Sequence, residues 1–338
     1  MNKINLLIIL FVALGLTTVF LISILIHQNE SPIRIGYVID SINHAPVIVA
    51  SEAGFFEKYG INVEMVPTGS GKETQQAIGA GQIELASSGA TNIFIPISKG
   101  APIKIIAPST VSMMYVFVNP DKNIKTLKEL VGKNVATRKG HITNVVFNEA
   151  LKKGGIDGKN INFIEVDRVL APIALMNKGI VDAALASVSE AKGFEDSGAV
   201  VLEEWKLKDY TGIPTPSTVI AVNTDFMTRY PEKIDAFMKA FIDGQKFIKE
   251  KPNEAARLIS ENIYKMSNGS AGISVSEVLN EWKSIKYILW CDQNLLKDYS
   301  LAAFEIGDIE KELSINQLFD PRFEGVLKNA QCEIYNQC

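Results

Sequence analysis

The chain has 338 residues, a formal net charge of −4 and three histidines, and this length is sufficient for two domains with cores of their own. Lys and Arg number 34 against 38 Asp and Glu, and no block of like charge stands out. This balance argues against a nucleic-acid-binding protein, which normally carries a basic stripe.

Residues 6–26 form an apolar run without any charge, preceded by Met1-Asn2-Lys3. A run of roughly 20 residues is long enough to span a bilayer, and neither an A-x-A cleavage pattern nor a lipid-accepting Cys follows it. We therefore predict that residues 1–31 are a membrane anchor with a tether, and that the rest of the chain is extracytoplasmic because Lys3 stays inside. A cleaved signal peptide and a buried soluble helix are the alternatives.

The first unit of the chain alternates strands with helices. Strands are predicted over residues 33–38, 61–65, 83–86, 103–107 and 113–118, and helices follow the first three of them. Such alternation is typical of a parallel α/β sheet, and ligands bind beyond the carboxyl ends of its strands. The loops at residues 40–44, 68–71 and 87–91 are therefore expected to converge.

Two of these loops precede helices. Ser70 and Glu73 have the S-x-x-E spacing of a capping box, which predicts a helix beginning just after Ser70, and Gly69 and Gly71 allow a ligand to approach the backbone closely. The second loop, residues 87–91, is small and hydroxylic and precedes an apolar helical run. Two helix N-termini at one sheet edge suit an anion or a polar small molecule. Neither loop contains a catalytic group, so we predict binding without catalysis.

A second unit repeats the order of the first. Helices are predicted to begin at Thr126, His141 and Ala171. Strands are predicted at residues 134–137 and 161–166, and residues 179–184 lead into a further strand. Residues 81–86 and 179–184 share the pattern G-x-[IV]-[DE]-x-A, each before a Ser-containing loop, which indicates two similar lobes. The two prolines within residues 213–217 indicate a linker back to the first lobe. From Pro231 onward the chain is predicted to be largely helical, with further helices opening at Pro252 and after Ser274 and a fourth over residues 295–313, and these helices are expected to cover that lobe.

Three cysteines lie in the last fifth of the chain, namely Cys291, Cys332 and Cys338. Outside the cell one disulfide is expected, between Cys291 and either Cys332 or Cys338. Three unpaired thiols are the alternative. The spacing matches no zinc motif, and we predict neither a metal nor a cofactor.

Several short motifs occur in a characteristic order: Ile35-Gly36-Tyr37, His44-Ala45-Pro46, A-G-F-F-E-K-Y-G-I from Ala53, Gly69-Ser70-Gly71, T-L-K-E-L-V-G-K from Thr126, Lys139-Gly140 and N-T-D-F from Asn223. Together they resemble the solute-binding proteins of ABC importers, in the branch for nitrate, sulfonates, taurine and thiamine precursors. The resemblance covers about residues 33–260 and implies a two-lobed α/β fold of the periplasmic-binding-protein type II. It further implies an ABC permease and its ATPase as partners.

The resemblance also implies two crossings between the lobes. We place them near residues 118–121 and 213–217, so that lobe 1 comprises residues 32–118 and 216–338 and lobe 2 comprises residues 119–215. The ligand would lie in the cleft between these lobes, and closure around it needs rigid lobes and flexible crossings.

The predicted ligand-binding residues lie in the loops of both lobes. They are Asn43, His44, Gly69, Ser70, Ser88, Gly89 and Thr91 in the first lobe and Gly140, His141, Thr143, Ser187 and Glu190 in the second. A structural role is the alternative for each: the serines cap their own helices, the histidines lie at the surface, and Glu190 is a solvated helix start. Lys72, Arg138 and Lys139 either attract an anion or are solvated surface charges.

These features predict a tethered extracytoplasmic protein that binds a small solute, an oxyanion such as a sulfonate or nitrate, and delivers it to a permease. A heteroaromatic thiamine precursor is an alternative ligand that would stack on Tyr37, Phe94 or Tyr115. A sensory binding module is an alternative function. An enzyme related to the pyridoxal-phosphate-dependent proteins that build the thiamine pyrimidine is disfavoured, since no cysteine cluster precedes residue 291, and G-x-S-x-G is absent.

Overall fold

The computed structural model describes residues 31–39, 41–112, 114–138, 141–166, 171–207, 216–270 and 272–337. Among these residues, none of the helices combines the length and the apolar character needed to cross a bilayer. The apolar run at residues 6–26, on which the predicted anchor rests, lies outside the described residues.

The described strands and helices alternate through most of the chain. The strands are β1 (Ile33–Val38), β2 (Val63–Thr68), β3 (Leu85–Gly89), β4 (Ile103–Ser112), β5 (Met114–Val118), β6 (Asn134–Thr137), β7 (Asn162–Glu165), β8 (Ala183–Ser187), β9 (Val200–Val201), β10 (Pro216–Asn223) and β11 (Ile285–Tyr287). The helices are α1 (Ala45–Glu52), α2 (Phe55–Lys58), α3 (Gly71–Gly79), α4 (Ala90–Ser98), α5 (Ile142–Lys153), α6 (Ala171–Asn177), α7 (Val188–Asp196), α8 (Glu203–Leu207), α9 (Thr224–Arg229), α10 (Pro231–Glu250), α11 (Pro252–Met266), α12 (Val275–Glu281), α13 (Gln293–Glu305), α14 (Ile315–Leu318) and α15 (Glu324–Tyr335).

The strands form two sheets, one in each lobe. The first sheet has the order β11-β4-β10-β3-β1-β2, and the second has the order β7-β6-β8-β5-β9. The predicted α/β class and the two lobes are confirmed, but the sheets are mixed rather than parallel. β10 pairs antiparallel with β3. The chain returns from the second lobe at the carboxyl end of β3, so β10 begins beside that end and runs in the opposite direction.

The first crossing lies at residues 112–114, not at 118–121. β4 ends at Ser112 in the first sheet, and β5 begins at Met114 in the second sheet, opposite Ser187 of β8. The boundary predicted at residue 118 is wrong, because an apolar run does not specify the sheet in which it pairs. Here the first lobe comprises the described residues within 31–112 and 216–337, and the second lobe comprises those within 114–207. Of the predicted return linker, residues 216 and 217 belong to β10 and the rest lies outside the described residues.

Helices cover both faces of the first sheet. The predicted stripe of α10 is buried: Ile234, Phe237, Met238 and Phe241 are at most 2% exposed, and Phe237 stacks on Phe56 of α2. On the other face α3, α4 and α13 enclose a second apolar cluster. α13 ends at Glu305 rather than residue 313, because Gly307 takes a positive φ of 78° that terminates the helix.

The cysteines depart from the predicted pairing. Cys291 is free and half-buried, and burial raises the pKa of its thiol to about 12. Cys332 is disulfide-bonded, while Cys338 lies outside the described residues. The predicted participation of Cys291 is therefore wrong. Cys291 packs with the cluster of α4 and α13, whereas the buried face of α15, which carries Cys332, packs with the cluster of α10.

Candidate functional site

The two glycine-containing loops of the first lobe meet, as predicted. Asn92 of α4 lies between them: a Cβ atom added at Gly71 would be 2.3 Å from its Nδ2 atom, and one at Gly89 would be 3.0 Å from it. A side chain at position 71 would therefore have to displace the end of the Asn92 side chain. The N-termini of these two helices open at the same sheet edge, beside each other.

The cap of α3 follows the predicted spacing. Ser70 Oγ accepts a hydrogen bond from the Glu73 backbone N at 3.2 Å, and Glu73 Oε2 accepts one from the Gly69 backbone N at 2.8 Å. The helix begins at Gly71. The cap occupies the Ser70 hydroxyl in this conformation, and its contact with a ligand stays a prediction.

Residues 87–89 belong to β3 rather than to a loop. β10 pairs with β3 up to Gly89, opposite Thr218, so the ladder continues through both serines. Ser87 and Ser88 are fully buried, and Ser88 Oγ has no hydrogen-bond partner among the described residues. Thr91, in the first turn of α4, is 1% exposed. These side chains are therefore shielded from solvent in this conformation.

His44 supports the edge from below. It precedes α1, is 3% exposed, and its Nδ1 atom lies 2.8 Å from Ser87 Oγ. Burial lowers the pKa of His44 to about 3, so that the ring is neutral at physiological pH. Asn43 beside it is half-buried. His44 thus links the turn after β1 to the end of β3 and is not a surface residue.

The His44→Asn variant should reduce the pH dependence of stability. Because the folded-state pKa of His44 is lowered from 6.5 to about 3, the unfolded chain binds the extra proton, and stability is lost as the pH falls from about 6.5 toward 3. The slope is about 1.4 kcal/mol per pH unit. Asn keeps a polar partner for Ser87 without titrating, so urea unfolding at about pH 7, 6 and 5 should give a shallower slope in the variant.

Among the described residues, two other groups with shifted pKa values contribute to the pH dependence of stability. Their contributions are the same in the variant and in the wild type, so the difference between the two slopes reports His44. The lowered pKa of His141 also makes the protein less stable as the pH falls, as that of His44 does. Burial and Glu277 raise the pKa of Glu281 to about 7, so that this group makes the protein less stable as the pH rises. Equal slopes in the variant and the wild type would contradict the assignment to His44.

In the second lobe four side chains and one backbone amide form a compact cluster at the ends of β6 and β8. Arg138 Nη2 donates to Glu190 Oε1, and Glu190 Oε2 accepts from the Ser187 backbone N at 2.8 Å. The side chains of Arg138 and Glu190 are only 14% and 9% exposed. The interpretation of Glu190 as a solvated helix start is therefore wrong. It is the partner of a nearly buried guanidinium and closes the capping box of α7 with Ser187.

His141 is the N-cap of α5 and completes this cluster. Its Nδ1 atom lies 2.9 Å from Thr143 Oγ1, and its Nε2 atom lies 3.3 Å from Arg138 Nη2. Burial and the charge of Arg138 lower the pKa of His141 well below its usual value. The ring is therefore neutral near pH 6.5, because burial disfavours its charged form and the Arg138 guanidinium disfavours a second cation. Gly140 and Lys139 lie outside the described residues.

Both loop clusters face the crossing between the lobes. Gly89 lies opposite Thr218 near the start of β10, and Ser187 lies opposite Met114 at the start of β5. Met114 follows β4 after one residue, and β4 pairs with β10 at Val111 and Pro216. The carboxyl ends of the parallel strands of both lobes therefore meet in one cleft.

Within the described ranges, no group of three or more His, Cys, Asp or Glu side chains could hold a metal ion.

Sequence reasoning missed how the polar groups of the cleft are connected. Arg138 was separated from Glu190 by 52 positions, and only the spacing of Ser187 and Glu190 signalled a capping box. No sequence motif indicated a role for Asn92, apart from its position in the first turn of a predicted helix. Thr110 Oγ1 and Ser217 Oγ, 3.1 Å apart and buried at the crossing, come from β4 and β10.

The fold and the two facing loop clusters define a two-lobed binding protein, in which strand ends and helix N-termini of both lobes surround a cleft. Residues 41–255, more than half of the chain, match the family described as NMT1/THI5 like, and the chain belongs to this family. A provisionally named binding protein of Brucella abortus (strain 2308) is 26% identical over 251 residues, covering 74% of this chain and 70% of that protein.

Two further similarities agree with this class. The taurine-binding periplasmic protein of Escherichia coli (strain K12) is 24% identical over 199 residues, 59% of this chain and 61% of that protein. The crystal structure of the periplasmic aliphatic sulphonate binding protein of Escherichia coli superposes with a TM-score of 0.69 at 18% identity, covering 86% of this chain and 92% of that chain. The relatives and the structure named here are thus binding proteins rather than enzymes.

Proposed function

We propose that this protein binds a small oxyanion, such as a sulfonate, outside the cytoplasm and delivers it to an ABC permease and its ATPase. The nearly buried Arg138 guanidinium at the cleft carries this proposal, since it is the described cation placed among helix N-termini. The relatives that bind taurine and aliphatic sulphonates support the same ligand class.

Arg138 is suited to an oxyanion because its planar fork of donors matches two oxygens at once. The N-terminus of α7 begins beside it, and those of α3 and α4 open on the opposite lobe. The dipoles of these helices add partial positive charge at their N-termini. In this conformation Glu190 occupies the guanidinium. An incoming oxyanion therefore has to displace the carboxylate or share the guanidinium with it.

A thermal-shift and calorimetric screen tests the ligand class. Taurine, short alkanesulfonates, nitrate and bicarbonate are compared with amines and with pyrimidines. A ligand present at about 100 times its Kd stabilises the native state by about 2.7 kcal/mol, so the melting temperature should rise by several degrees for one of the oxyanions. A shift with pyrimidines alone, or with none of the compounds, would contradict the proposal.

The heteroaromatic alternative gains no support from the aromatic residues named for it. Tyr37 and Phe94 are fully buried, and the Tyr37 hydroxyl donates to Asn262 Oδ1 at 3.1 Å within the first lobe. Tyr115 is packed among apolar clusters of both lobes. Tyr37 and Phe94 therefore present no ring face for a ligand to stack upon, and Tyr115 is half-buried.

The membrane tether is a further part of the proposal and depends on the sequence alone. The uncharged run at residues 6–26 is suited to hold the protein at the outer face of the cell membrane. Full-length protein should then remain in membranes washed with alkaline carbonate, with its first residues intact by mass spectrometry. Release into the soluble fraction after cleavage near residue 26 would contradict the tether.

A further inference from the structure

A cavity of about 400 Å³ opens in the first lobe at a place that shares no residue with the loops of the cleft. It lies where the end of α10 and the start of α11 meet β11 and the end of α15. Six of its nine lining residues follow residue 255 and thus lie beyond the part of the chain that matches the family model. Its volume falls within the range of about 300–1,000 Å³ that small-molecule sites occupy.

Aromatic and aliphatic side chains form the wall of the cavity. Trp282 and Tyr287 pack edge to face with ring centroids 5.9 Å apart, and Tyr335 and Ile248 line the same space. The Trp282 indole nitrogen is buried without a hydrogen-bond partner among the described residues. The wall therefore offers ring-sized apolar surface and contains a donor whose hydrogen bond is unmade.

The charges at the mouth of the cavity are positive. Lys249 and Lys286 line it and are exposed, and neither forms an ion pair with a described residue. Glu281, next to Trp282, is an acidic group close enough for its charge to raise the pKa of Tyr287. Burial raises the pKa of Glu281 to about 7, so that its negative charge is only partial at neutral pH. An anionic group is therefore favoured at this mouth.

We propose that this cavity is a second ligand site, for a small organic anion with a ring-sized apolar body and a carboxylate or sulfonate head. The body packs against Trp282 and Tyr287, and the head lies between the ammonium groups of Lys249 and Lys286. The Tyr287 hydroxyl donates to the backbone carbonyl of Ile42 at 3.4 Å. Ile42 begins the turn that carries Asn43 and His44, so the cavity and the cleft turn share this hydrogen bond.

The probe for the test is 2-naphthoate, with naphthalene-2-carboxamide as its uncharged counterpart. Binding is followed by calorimetry and by the NMR signal of the Trp282 indole N–H, assigned with the Trp282→Phe variant. We expect naphthoate to shift this signal in a saturable manner and to bind about tenfold more tightly than the amide. The Lys249→Gln/Lys286→Gln double variant should bind both compounds equally, because only the charge term is removed.

Two control variants distinguish this site from other binding. Lys251→Gln removes an exposed lysine nearby, paired with Glu254 and outside the cavity lining, and should leave binding unchanged. The Arg138→Gln/Glu190→Gln double variant, in the cleft, should also leave the Trp282 signal and its response unchanged. Absence of a Trp282 shift at millimolar naphthoate, equal binding of acid and amide to wild type, or loss of the response in the folded double variant would each overturn the proposal. The failure of oxyanions to bind the cleft would not affect it.

Discussion

Arg138→Gln should weaken binding of the oxyanion about 100-fold or more. The variant removes a charge-assisted, two-donor contact, and such contacts contribute about 1.5–3 kcal/mol each when the partner is charged. It also leaves Glu190 as a nearly buried carboxylate without its cation, which repels an incoming anion. Isothermal titration with the oxyanion found in the screen measures the loss. An affinity within about threefold of wild type would show that Arg138 does not contact the ligand.

Glu190→Gln provides the complementary result. Gln retains a carbonyl oxygen that can accept from the Ser187 backbone N but no longer neutralises Arg138. A singly charged oxyanion should therefore bind about tenfold more tightly, because its competitor for the guanidinium is gone. A ligand that also carries an ammonium group should bind more weakly, since it loses the carboxylate. The sign of the change thus separates a simple anion from a zwitterion.

Stability controls are needed because each single variant breaks a nearly buried pair, which costs about 3–5 kcal/mol. The Arg138→Gln/Glu190→Gln double variant should recover most of that stability but none of the oxyanion affinity. Lys192→Gln removes an exposed charge on the same helix α7, where Lys192 pairs with Asp196, and serves as the matched control. If the double variant bound the oxyanion as tightly as wild type, the assignment of Arg138 would be wrong.

Tyr299→Ala should lower the stability of the protein and increase the mean separation of its lobes. Tyr299 lies on α13 of the first lobe, and its ring packs against apolar clusters of both lobes. Val145 of α5, in the second lobe, is fully buried in the cluster of the first. Lys152 Nζ and Glu305 Oε2, 3.1 Å apart, flank this contact. The lobes are therefore joined by packing between α5 and α13 in addition to the chain crossings.

Truncation of a fully buried aromatic ring costs about 3–5 kcal/mol, and the partly buried Tyr299 should cost somewhat less. The lost contacts lie between the two lobes, whose separation they restrict. Urea unfolding should show this loss, and small-angle scattering should show a larger radius of gyration without ligand. Lys152→Gln removes only the exposed ion pair, so it should cost less than about 1 kcal/mol and leave the radius unchanged. A destabilised Tyr299→Ala protein with an unaltered radius would mean that the contact does not hold the lobes together.

Local signals made much of the secondary structure predictable. The start of α5 agrees with the prediction because His141 caps it, and Gly154 follows its last residue. The starts of α3, α10, α11 and α12 follow equally local rules, a capping serine or a proline in the first turn. These rules act over about four residues and need no knowledge of the rest of the fold.

Pairing between distant segments was not predictable in the same way. Met114–Val118 was correctly predicted as a strand, but its apolar residues suit either sheet, and only β8 and β9 decide that it belongs to the second lobe. Residues 87–89 have the composition of a loop and are nevertheless strand, because β10 provides a neighbour for their backbone. The predicted disulfide of Cys291 rested only on the extracytoplasmic location and on the number of cysteines. In the structure Cys291 packs in a different apolar cluster from the buried face of α15.

The amino-acid sequence by itself determined the two α/β units, most helix starts and the family to which the chain belongs, since capping, periodicity and short motifs are properties of neighbouring residues. Only the tertiary structure decided that Arg138 is paired with Glu190, that His44 is buried against Ser87 of β3 and that α13 contacts the second lobe. Each of these depends on segments far apart in the chain, and whether a charged or titratable side chain is solvated follows from what the fold packs around it.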